Sequence, residues 1–398
     1  MKILMLTPYL PYPLYSGGQI RSYNLIKNLS DKHEITLFSF IRDENEEQYL
    51  PELRKYCYEV KVFLKRPPWS TMSLVLAAIT FYPLVVCMYL RRKVQKAIKE
   101  AIERQHFNLI HAETFYVMPN IPKGKIPIIL VEQTIEYLVY QHYTSDVKLY
   151  AKKLLMNWDV AKIHFWEKTF WNRASRVVAM SDADKQVMQT LVPNLTVDLV
   201  PNGVDTHFFS AHKVVKEKKE KTILFVGNFK WLQNREAVSI LVKNIFPKIK
   251  AKLPFIKIWI VGRHPTAEIR EFASDSVKVS DDIDDIRLAY ERGDVLLAPI
   301  YGPGGTRYKI LESMATGLPV VTTPTGIEGL DVKPGQEALI GVSSDELASE
   351  TIKLLTSTNL YKKLSENGRK LVSRQYNWKK IAGKLDGIYQ QAVYEKEY

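Results

Sequence analysis

Apolar and polar positions alternate along the chain in two repeating patterns. Short apolar runs bounded by turn residues predict β-strands, and apolar residues spaced three or four apart predict the helices between them. The first half has a helical pattern from Gly18 to Leu29. Its strand-like runs are KILMLTP (2–8), HEITLFSF (33–40), FNLIHAE (107–113), IPIILVEQ (126–133), SRVVAMS (175–181) and TVDLVPNG (196–203). Strands that alternate with helices predict a parallel sheet with helical crossovers.

The same pattern restarts after a charged, apolar-poor segment, SAHKVVKEKKEKT (210–222), which indicates a linker or its edge. The strand-like runs beyond it are TILFVGN (222–228), IKIWIVG (256–262), SVKVSD (276–281), DVLLAPI (294–300) and LPVVTTP (318–324), with helical patterns over 234–249 and 309–316. A chain of 398 residues is also too long for one ordinary core. The prediction is an α/β protein with two Rossmann-like domains, 1–205 and 206–378, facing each other across a cleft. A last helical pattern, 379–395, could pack back on the first domain or belong to the second.

Composition and charge narrow the function classes. Apolar residues make up 46% of the chain and charged residues 25%, which is typical of a soluble globular protein. The net charge of +13 is spread over both halves, which argues against a basic nucleic-acid domain. The charge suits an anionic ligand, an anionic membrane surface or good solubility. Cys57 and Cys87 have no metal or redox spacing and fit a reducing, cytoplasmic compartment. The N-terminal run MKILMLTPYLP is interpreted as a first strand, not a signal peptide.

The stretch from Pro67 to Leu90 contains no charge and approaches the length of a membrane span. Pro83 interrupts it, and Arg91-Arg92-Lys93 follow it. Three interpretations remain open: a buried helix pair, a monotopic element that lies on a membrane, and a true span. The second would make an anionic membrane surface a partner and would place the protein peripherally on its inner face.

The candidate binding loops follow predicted strands, where open α/β sheets bind ligands. Gly17-Gly18 and Gly227-Asn228 follow the first strand of each half, and the 302–312 loop follows a later strand of the second. In the predicted face-to-face pair, all three loops could line one cleft. Neither half has a GxGxxG sequence after its first strand, which disfavours a dinucleotide dehydrogenase.

The loop GPGGTRYKILE (302–312) has the composition of a sugar-nucleotide site. Gly304 and Gly305 let the backbone approach a ligand closely. Arg307 and Lys309 are the residue types that bind phosphate. Glu312 could accept hydrogen bonds from sugar hydroxyls.

Several pieces, in their order along the chain, resemble glycosyltransferase family 4, whose members have the GT-B fold. The pieces are SGGQIR, RASRVVAMSDAD, VPNGVD, FVGNFKWLQNREAV, IVGR, DDIRLAYERGDVLLAPI, GGTRYKILESMATGLPVVTTP and GIEGL. The resemblance covers nearly the whole chain. It implies transfer of a sugar from a nucleotide-diphosphate sugar, with retention at the anomeric carbon and without a metal.

The resemblance also implies roles for the loop residues. Glu312 aligns with the second glutamate of the family's E-x7-E motif, which holds the donor ribose, while the first falls on Gly304. The sequence GGTRYK instead resembles a branch with the motif GTRxKxxE, in which Thr306 belongs to the donor loop. Arg307 and Lys309 then bind the diphosphate and act in catalysis, because fixed cations stabilise charge on a leaving group.

Other positions follow from the same resemblance. Gly17 and Gly18 match a glycine loop that closes over the phosphates, and His111 matches a catalytic histidine near the reacting centre. A satisfied structural histidine is the alternative for His111. The complete donor-binding set implied by the resemblance is Gly17, Gly18, Arg21, Gly227, Asn228, Arg263, Gly304, Gly305, Thr306 and Glu312.

A D-x-D sequence, Asp282-Ile283-Asp284, has the spelling of a metal site in a different transferase fold. A helical pattern follows it at once, and acidic residues at a helix start satisfy free N–H groups and the helix dipole. The prediction is therefore no metal site and no cofactor.

The predicted function is transfer of a sugar to a glycan or lipid-linked acceptor, with no nucleic-acid partner. One alternative is a catalytically silent paralogue that binds sugar nucleotides or scaffolds a membrane assembly. Another is an epimerase or phosphorylase of the same fold.

Overall fold

The structure, a computed structural model, describes residues 1–145, 147–210, 220–281, 283–302 and 308–397. Five of the single residues considered above lie outside these ranges, namely Asp282, Gly304, Gly305, Thr306 and Arg307, and so do residues 211–219 of the predicted linker. The chain divides into two compact units. The first contains Met1–Pro201 together with the segment from Lys379 onward, and the second contains the described residues between 202 and 378.

The first unit is built on a parallel sheet of seven strands in the order β3-β2-β1-β4-β5-β6-β7. Nearly every residue of β1, β2, β4 and β5 is buried, as expected for parallel strands covered on both faces. The strands are β1 Lys2–Thr7, β2 Glu34–Ile41, β3 Glu59–Leu64, β4 Leu109–Glu113, β5 Ile128–Val131, β6 Arg176–Ala179 and β7 Val197–Leu199.

Helices connect these strands. Ser16 caps the first of them, which begins at Gly17, one residue before the predicted start. The α-helices are α1 Gly17–Leu29, α2 Leu50–Leu53, α3 Thr71–Ile79, α4 Leu84–Tyr89, α5 Arg92–Arg104, α6 Glu136–Ser145, α7 Tyr150–Arg173 and α8 Asp182–Leu191. Two 3₁₀ segments cover Glu44–Tyr49 and Phe115–Asn120.

The second unit has a parallel sheet of six strands in the order β10-β9-β8-β11-β12-β13. The strands are β8 Thr222–Val226, β9 Lys257–Val261, β10 Val277–Ser280, β11 Val295–Ala298, β12 Val320–Thr322 and β13 Leu339–Ile340. The α-helices are α9 Leu232–Ile240, α10 Phe246–Lys252, α11 Ala267–Arg270, α12 Arg287–Arg292, α13 Tyr308–Thr316, α14 Ser344–Thr356 and α15 Thr358–Gln375, with a 3₁₀ segment at Thr325–Ile327.

The helix predicted over 234–249 is interrupted by a π-helical turn, Leu241–Ile245, between α9 and α10. Pro247 lies just beyond this turn. Because proline has no N–H to donate and crowds the preceding turn, a local change of helix type is the expected response.

The C-terminal helix, α16 (Trp378–Glu397), lies against the first sheet from Lys379 onward. Its Asp386 carboxylate lies 2.8 Å from Lys32 Nζ and 2.9 Å from His33 Nε2. Arg176 of β6 donates to Glu395 at 2.7 Å. These contacts place α16 in the first unit, although its sequence pattern was compatible with either unit.

The uncharged stretch 67–90 forms α3 and α4, and the two differ in burial. In α4, every residue from Val85 to Tyr89 is buried, whereas α3 leaves large apolar side chains exposed, including Met72, Val75 and Ile79. The interpretation of this stretch as buried helices therefore holds for α4 but not for α3. No helix in the described part of the chain is both long and apolar enough to cross a membrane.

Candidate active site

The carboxyl end of β8 holds a hydrogen-bonded chain of three residues, here called the lysine network: Asn228, Asn234 and Lys309. Asn234, on α9, donates from Nδ2 to the carbonyl of Asn228 at 2.8 Å. Its Oδ1 accepts a hydrogen bond from Lys309 Nζ at 2.6 Å. Lys309, in the first turn of α13, also lies over the Phe225 ring, 4.4 Å from its centroid. The network thus holds a half-buried ammonium group beside the loop after β8.

Two glycines bring neighbouring loops of the same edge together. Gly262, directly after β9, has a φ of +152°, and a Cβ there would overlap the carbonyl oxygen of Gly227. A Cβ at Gly227 would in turn lie 3.0 Å from the Asn234 side chain. Arg263 follows, and its carbonyl accepts a hydrogen bond from Phe229 N at 2.9 Å. The close approach places Arg263 next to the loop that carries Asn228.

Glu312 lies one turn beyond Lys309 on α13. Its Oε2 accepts a hydrogen bond from the Tyr290 hydroxyl at 2.6 Å, and the glutamate remains half-buried. Burial raises the pKa of Glu312, while Tyr290 and the charge of Lys309 oppose the increase. Tyr290, on α12, is fully buried, and burial together with the charge of Glu312 raises its pKa well above the ordinary range. Tyr290 is therefore the hydrogen-bond donor that fixes the orientation of one carboxylate oxygen of Glu312.

The corresponding edge of the first sheet places Gly18 against two side chains. A Cβ at Gly18 would lie 2.7 Å from Tyr9 Cζ and 2.8 Å from Gln133 Oε1. Real Cβ atoms do not approach so closely, so a side chain at Gly18 would displace the Tyr9 hydroxyl or the Gln133 amide. Gln133 donates to the Tyr9 hydroxyl, which also lies 3.3 Å from Ser22 Oγ. The pKa of Tyr9 is raised by burial and by the charge of Glu113.

Tyr9 and Gln133 belong to a larger group, here called the Glu113 network, with His111, Glu113 and Tyr389. Glu113 is fully buried; Oε2 accepts from Gln133 at 2.9 Å, and Oε1 lies 3.1 Å from His111 Nε2. The Nδ1 atom of His111 lies 2.5 Å from the Tyr389 hydroxyl of α16. Burial would raise the pKa of Glu113, but hydrogen bonding and charge from His111, with the Arg21 charge, hold it below its ordinary value. This edge therefore keeps an ionised carboxylate inside the protein.

The backbone beside Glu113 is strained. Thr114 has a φ of +63°. Positive φ is rare for a β-branched residue, and such strain concentrates at functional sites. Arg21, one turn along α1 from Gly18, is fully buried and donates to the Pro201 carbonyl at 3.0 Å.

The structure brings the predicted residues together in two groups, one in each unit. Gly227, Asn228, Arg263, Lys309 and Glu312 gather at the edge of the second sheet. The first unit holds Gly17, Gly18, Arg21 and His111. The described residues do not include the remaining four: Gly304, Gly305, Thr306 and Arg307.

Sequence reasoning missed the residues that hold these groups in place. Asn234 lies in the quoted piece FVGNFKWLQNREAV, but the sequence does not indicate that its side chain contacts Lys309. Tyr290 likewise lies in the quoted piece DDIRLAYERGDVLLAPI. Tyr9, Gln133 and Tyr389 carry no motif, and Tyr389 reaches His111 from 278 positions along the chain.

The D-x-D segment lies partly outside the described residues, because Asp282 is not among them. The following Asp285 accepts from the backbone N of Arg287 at 3.0 Å, at the start of α12. Its carboxylate also contacts the Arg287 guanidinium, the nearest distance being 2.6 Å. Among the residues that the structure describes, no group of three or more His, Cys, Asp or Glu side chains is arranged to hold a metal ion.

Two protein-family models match the chain. Residues 15–208 match the model described as "Glycosyltransferase Family 4", and residues 220–357 match the model described as "Glycosyl transferases group 1". The chain is 20% identical over 400 residues to the "Uncharacterized 44.6 kDa protein in cps region" of Klebsiella pneumoniae, covering 96% of this chain and 97% of that protein. It is 26% identical over 222 residues to the phosphatidyl-myo-inositol mannosyltransferase of Mycolicibacterium smegmatis, covering 54% of this chain and 56% of that protein.

Solved structures show the same fold. Sucrose-phosphate synthase from Thermosynechococcus elongatus aligns with a TM-score of 0.74 at 18% identity, over 99% of this chain and 100% of that one. Anabaena HepE in complex with UDP-glucose aligns with a TM-score of 0.66 at 16% identity, over 98% of this chain and 100% of that one. At these identities the likeness establishes the fold alone. The predicted α/β, GT-B fold class is confirmed.

Proposed function

The chain belongs to glycosyltransferase family 4, and from this premise we propose that it transfers a sugar from a nucleotide-diphosphate sugar to a glycan or lipid-linked acceptor. We propose further that the anomeric configuration is retained and that no metal is required. The observation that carries the proposal is the lysine network, which fixes an ammonium group at the carboxyl edge of the second sheet beside Glu312.

The second unit supplies the donor contacts. Glu312 accepts hydrogen bonds from the ribose hydroxyls, with Tyr290 fixing the carboxylate from the opposite oxygen. Lys309 and Arg307 bind the diphosphate, together with the glycine loop that includes Gly304, Gly305 and Thr306. Arg263 lies beside the loop that carries Asn228. Anabaena HepE contains UDP-glucose in its solved complex, which supports a nucleotide-sugar donor for a chain of the same fold.

The chemistry needs no protein nucleophile. The bond between the anomeric carbon and the phosphate oxygen breaks, and the acceptor oxygen forms its new bond on the same face of the sugar. The acceptor proton passes to the departing phosphate oxygen. Negative charge grows on the diphosphate during this step, and preorganised cations stabilise it most strongly in the transition state. Lys309 is held ready for this role by Asn234.

The first unit contributes the glycine turn and a buried carboxylate. Gly17 and Gly18 let the backbone approach the phosphates. Both ring nitrogens of His111 lie within hydrogen-bond distance of protein groups, Glu113 and Tyr389. We therefore give His111 a positioning role through Glu113. Arg21 acts on the same carboxylate through its charge. We also propose that the protein works in the cytoplasm, peripherally on the inner face of the membrane.

The test is turnover of UDP-, GDP-, ADP- and CMP-sugars with glycan and lipid-linked acceptors. One donor class should turn over, the product should keep the donor's anomeric configuration by proton NMR, and EDTA should leave the rate unchanged. An inverted product would contradict the retaining mechanism, and loss of activity in EDTA that added metal restores would contradict metal independence. Binding without turnover would favour a silent paralogue. Donor epimerisation without acceptor would favour an epimerase.

A further inference from the structure

The first unit exposes an unusual concentration of large apolar side chains on α3, the turn after it and the first part of α7. In α3 and its flank, Trp69 is 77% exposed and Ile79 74% exposed. On α7, Leu155 is 73% exposed and Trp158 60% exposed. We call this surface the α3–α7 face. Exposed apolar side chains that stand singly need no explanation, but contiguous ones mark interaction sites.

The two helices form one preformed surface. The Phe81 ring, in the turn after α3, packs edge-on against Phe165 of α7 at 5.1 Å and against Trp158 at 6.0 Å between centroids. Trp166 Nε1 donates to the Phe81 carbonyl at 2.8 Å. Lys162 Nζ, almost fully buried, donates to the carbonyl of Ala77 at 2.9 Å. These contacts fix the turn after α3 onto α7, so the exposed side chains beside them share one face.

The charges around this face are mostly basic. Lys148 and Lys152 are exposed next to Leu149 and Leu155. The segment 147–165, which runs from the residue before Lys148 into the middle of α7, contains one carboxylate, Asp159. Asp159 is tied to the protein, accepting from Leu84 N at 3.0 Å and lying 3.4 Å from Lys162 Nζ. The face therefore offers apolar side chains and exposed basic charge to whatever covers it.

We propose that the α3–α7 face docks the protein on an anionic lipid bilayer. Tryptophan and tyrosine concentrate where a membrane meets water, and Trp69, Tyr150 and Trp158 supply them here. Lysine side chains at such a boundary lay their apolar stems on the surface and keep the ammonium near lipid headgroups. Anionic lipids attract each basic residue near the surface. The combination fits an interfacial element, not a span.

This inference develops the membrane location in the proposed function, but its test uses neither donor nor acceptor. Its failure therefore leaves glycosyl transfer untouched, and failure of transfer leaves vesicle binding untouched. The full chain is sedimented with vesicles of phosphatidylcholine alone and with vesicles that also contain phosphatidylglycerol. The protein should bind the anionic vesicles more tightly, and high salt should weaken this binding without abolishing it, because salt screens only the electrostatic part.

Matched variants locate the surface. Leu155→Ser with Trp158→Ser should weaken vesicle binding by about tenfold or more, because apolar area is lost from the contact. Phe255→Ser is the control, since Phe255 is 75% exposed in the second unit, and it should bind as wild type does. Lys148→Ala with Lys152→Ala should reduce binding to anionic vesicles only, whereas Lys370→Ala should not. Circular dichroism and thermal unfolding verify that each variant is folded.

Two results would overturn the proposal. One is vesicle binding that the α7 variants leave unchanged. The other is an absence of vesicle binding together with a dimer in analytical ultracentrifugation that Leu155→Ser with Trp158→Ser converts to a monomer. That result would assign the face to a second copy of the chain.

Discussion

The carboxyl edges of the two sheets have the same parallel topology and opposite electrostatics. In the first, Glu113 is an ionised carboxylate held inside the protein by His111 and Gln133. In the second, Lys309 is a half-buried cation held by Asn234, with a glutamate of raised pKa one turn away. The fold fixes where each group of side chains lies, whereas the charge at each edge depends on a few side chains from the loops and neighbouring helices.

The contrast separates two tasks. A network centred on a fully buried carboxylate, as that of Glu113 is, gives rigidity, because both carboxylate oxygens have partners inside the protein. A half-buried ammonium at the edge of a sheet remains able to meet an anionic ligand. We therefore assign donor chemistry to the second edge and positioning to the first.

The largest expected effect is at Lys309. Lys309→Ala should lower kcat on the order of a hundredfold or more, because it removes a fixed cation from charge that grows in the transition state. Lys230→Ala is the matched control, since Lys230 is an exposed lysine of the loop after β8. Steady-state kinetics at saturating acceptor measures both, and a near-wild-type kcat for Lys309→Ala would return this lysine to a structural role.

Arg307 lies outside the described residues, but it too is proposed to meet the charge that grows on the diphosphate. Arg307→Ala should also lower kcat, and Arg307→Lys should not restore it fully if the guanidinium binds phosphate through two nitrogens. Full recovery with lysine would show that a point charge suffices there.

A smaller effect is expected at Glu312. Glu312→Ala should raise the donor KM about tenfold with little change in kcat, because ribose bonding changes little as the glycosidic bond breaks. The same kinetics with varied donor concentration checks it. An equal fall in kcat and kcat/KM would place Glu312 in transition-state stabilisation instead.

The two carboxylates should respond to pH in opposite senses. The folded-state pKa of Glu113 is lowered, so its stabilising contribution is present above the ordinary value and lost as the pH falls through the folded one. The pKa of Glu312 is raised, so its contribution is present at low pH and lost as the pH rises through the folded value. Glu113→Gln should therefore cost most at neutral pH, about 1–3 kcal/mol.

The quantity to measure is the difference in the free energy of unfolding between each variant and the wild-type protein. Glu132, Glu136 and Glu167 of the first unit also have pKa values raised by burial, so they also contribute to the pH dependence of the wild-type stability. The free energies of unfolding of Glu113→Gln and Glu312→Gln, each minus wild type, should change with pH in opposite directions, mainly below about pH 5 for Glu113→Gln and mainly above about pH 4 for Glu312→Gln. Parallel changes would contradict the assigned pKa directions.

The smallest effect is expected at Tyr290. Tyr290→Phe removes one hydrogen bond to Glu312 and should raise the donor KM about threefold, in keeping with the roughly 0.5–1.5 kcal/mol of one such bond. Tyr301→Phe is the control, because its hydroxyl contacts only the Val342 carbonyl among the contacts described for it, at 3.4 Å. A Tyr290→Phe variant as impaired as Glu312→Ala would mean that the tyrosine itself contacts the donor.

Most strands could be predicted because most of them are buried apolar runs bounded by turn residues. The edge strand β3 (Glu59–Leu64) was missed, since its residues are half-buried or exposed and include Lys61. The exposed apolar face of α7 could not be predicted from the sequence, because apolar and basic residues occur all around the helix. The packing of the 67–90 stretch depends on the contact between Phe81 and α7, and no local sequence pattern predicts this contact.

The candidate site was predictable only in part. The glycines and Lys309 belong to short motifs whose spacing is visible in the chain. Their partners come from other elements: Asn234 lies 75 positions from Lys309, and Tyr290 lies 22 positions from Glu312. Such contacts depend on how the strands are ordered in the sheet, which sequence spacing alone does not give.

The most direct test of the donor site is calorimetric titration of the protein with the donor found by turnover. The wild-type chain and the control Lys230→Ala should bind it equally, and Glu312→Ala should bind it about tenfold more weakly. Equal affinity of Glu312→Ala and wild type for every nucleotide-sugar tested would contradict the placement of the donor at the edge of the second sheet.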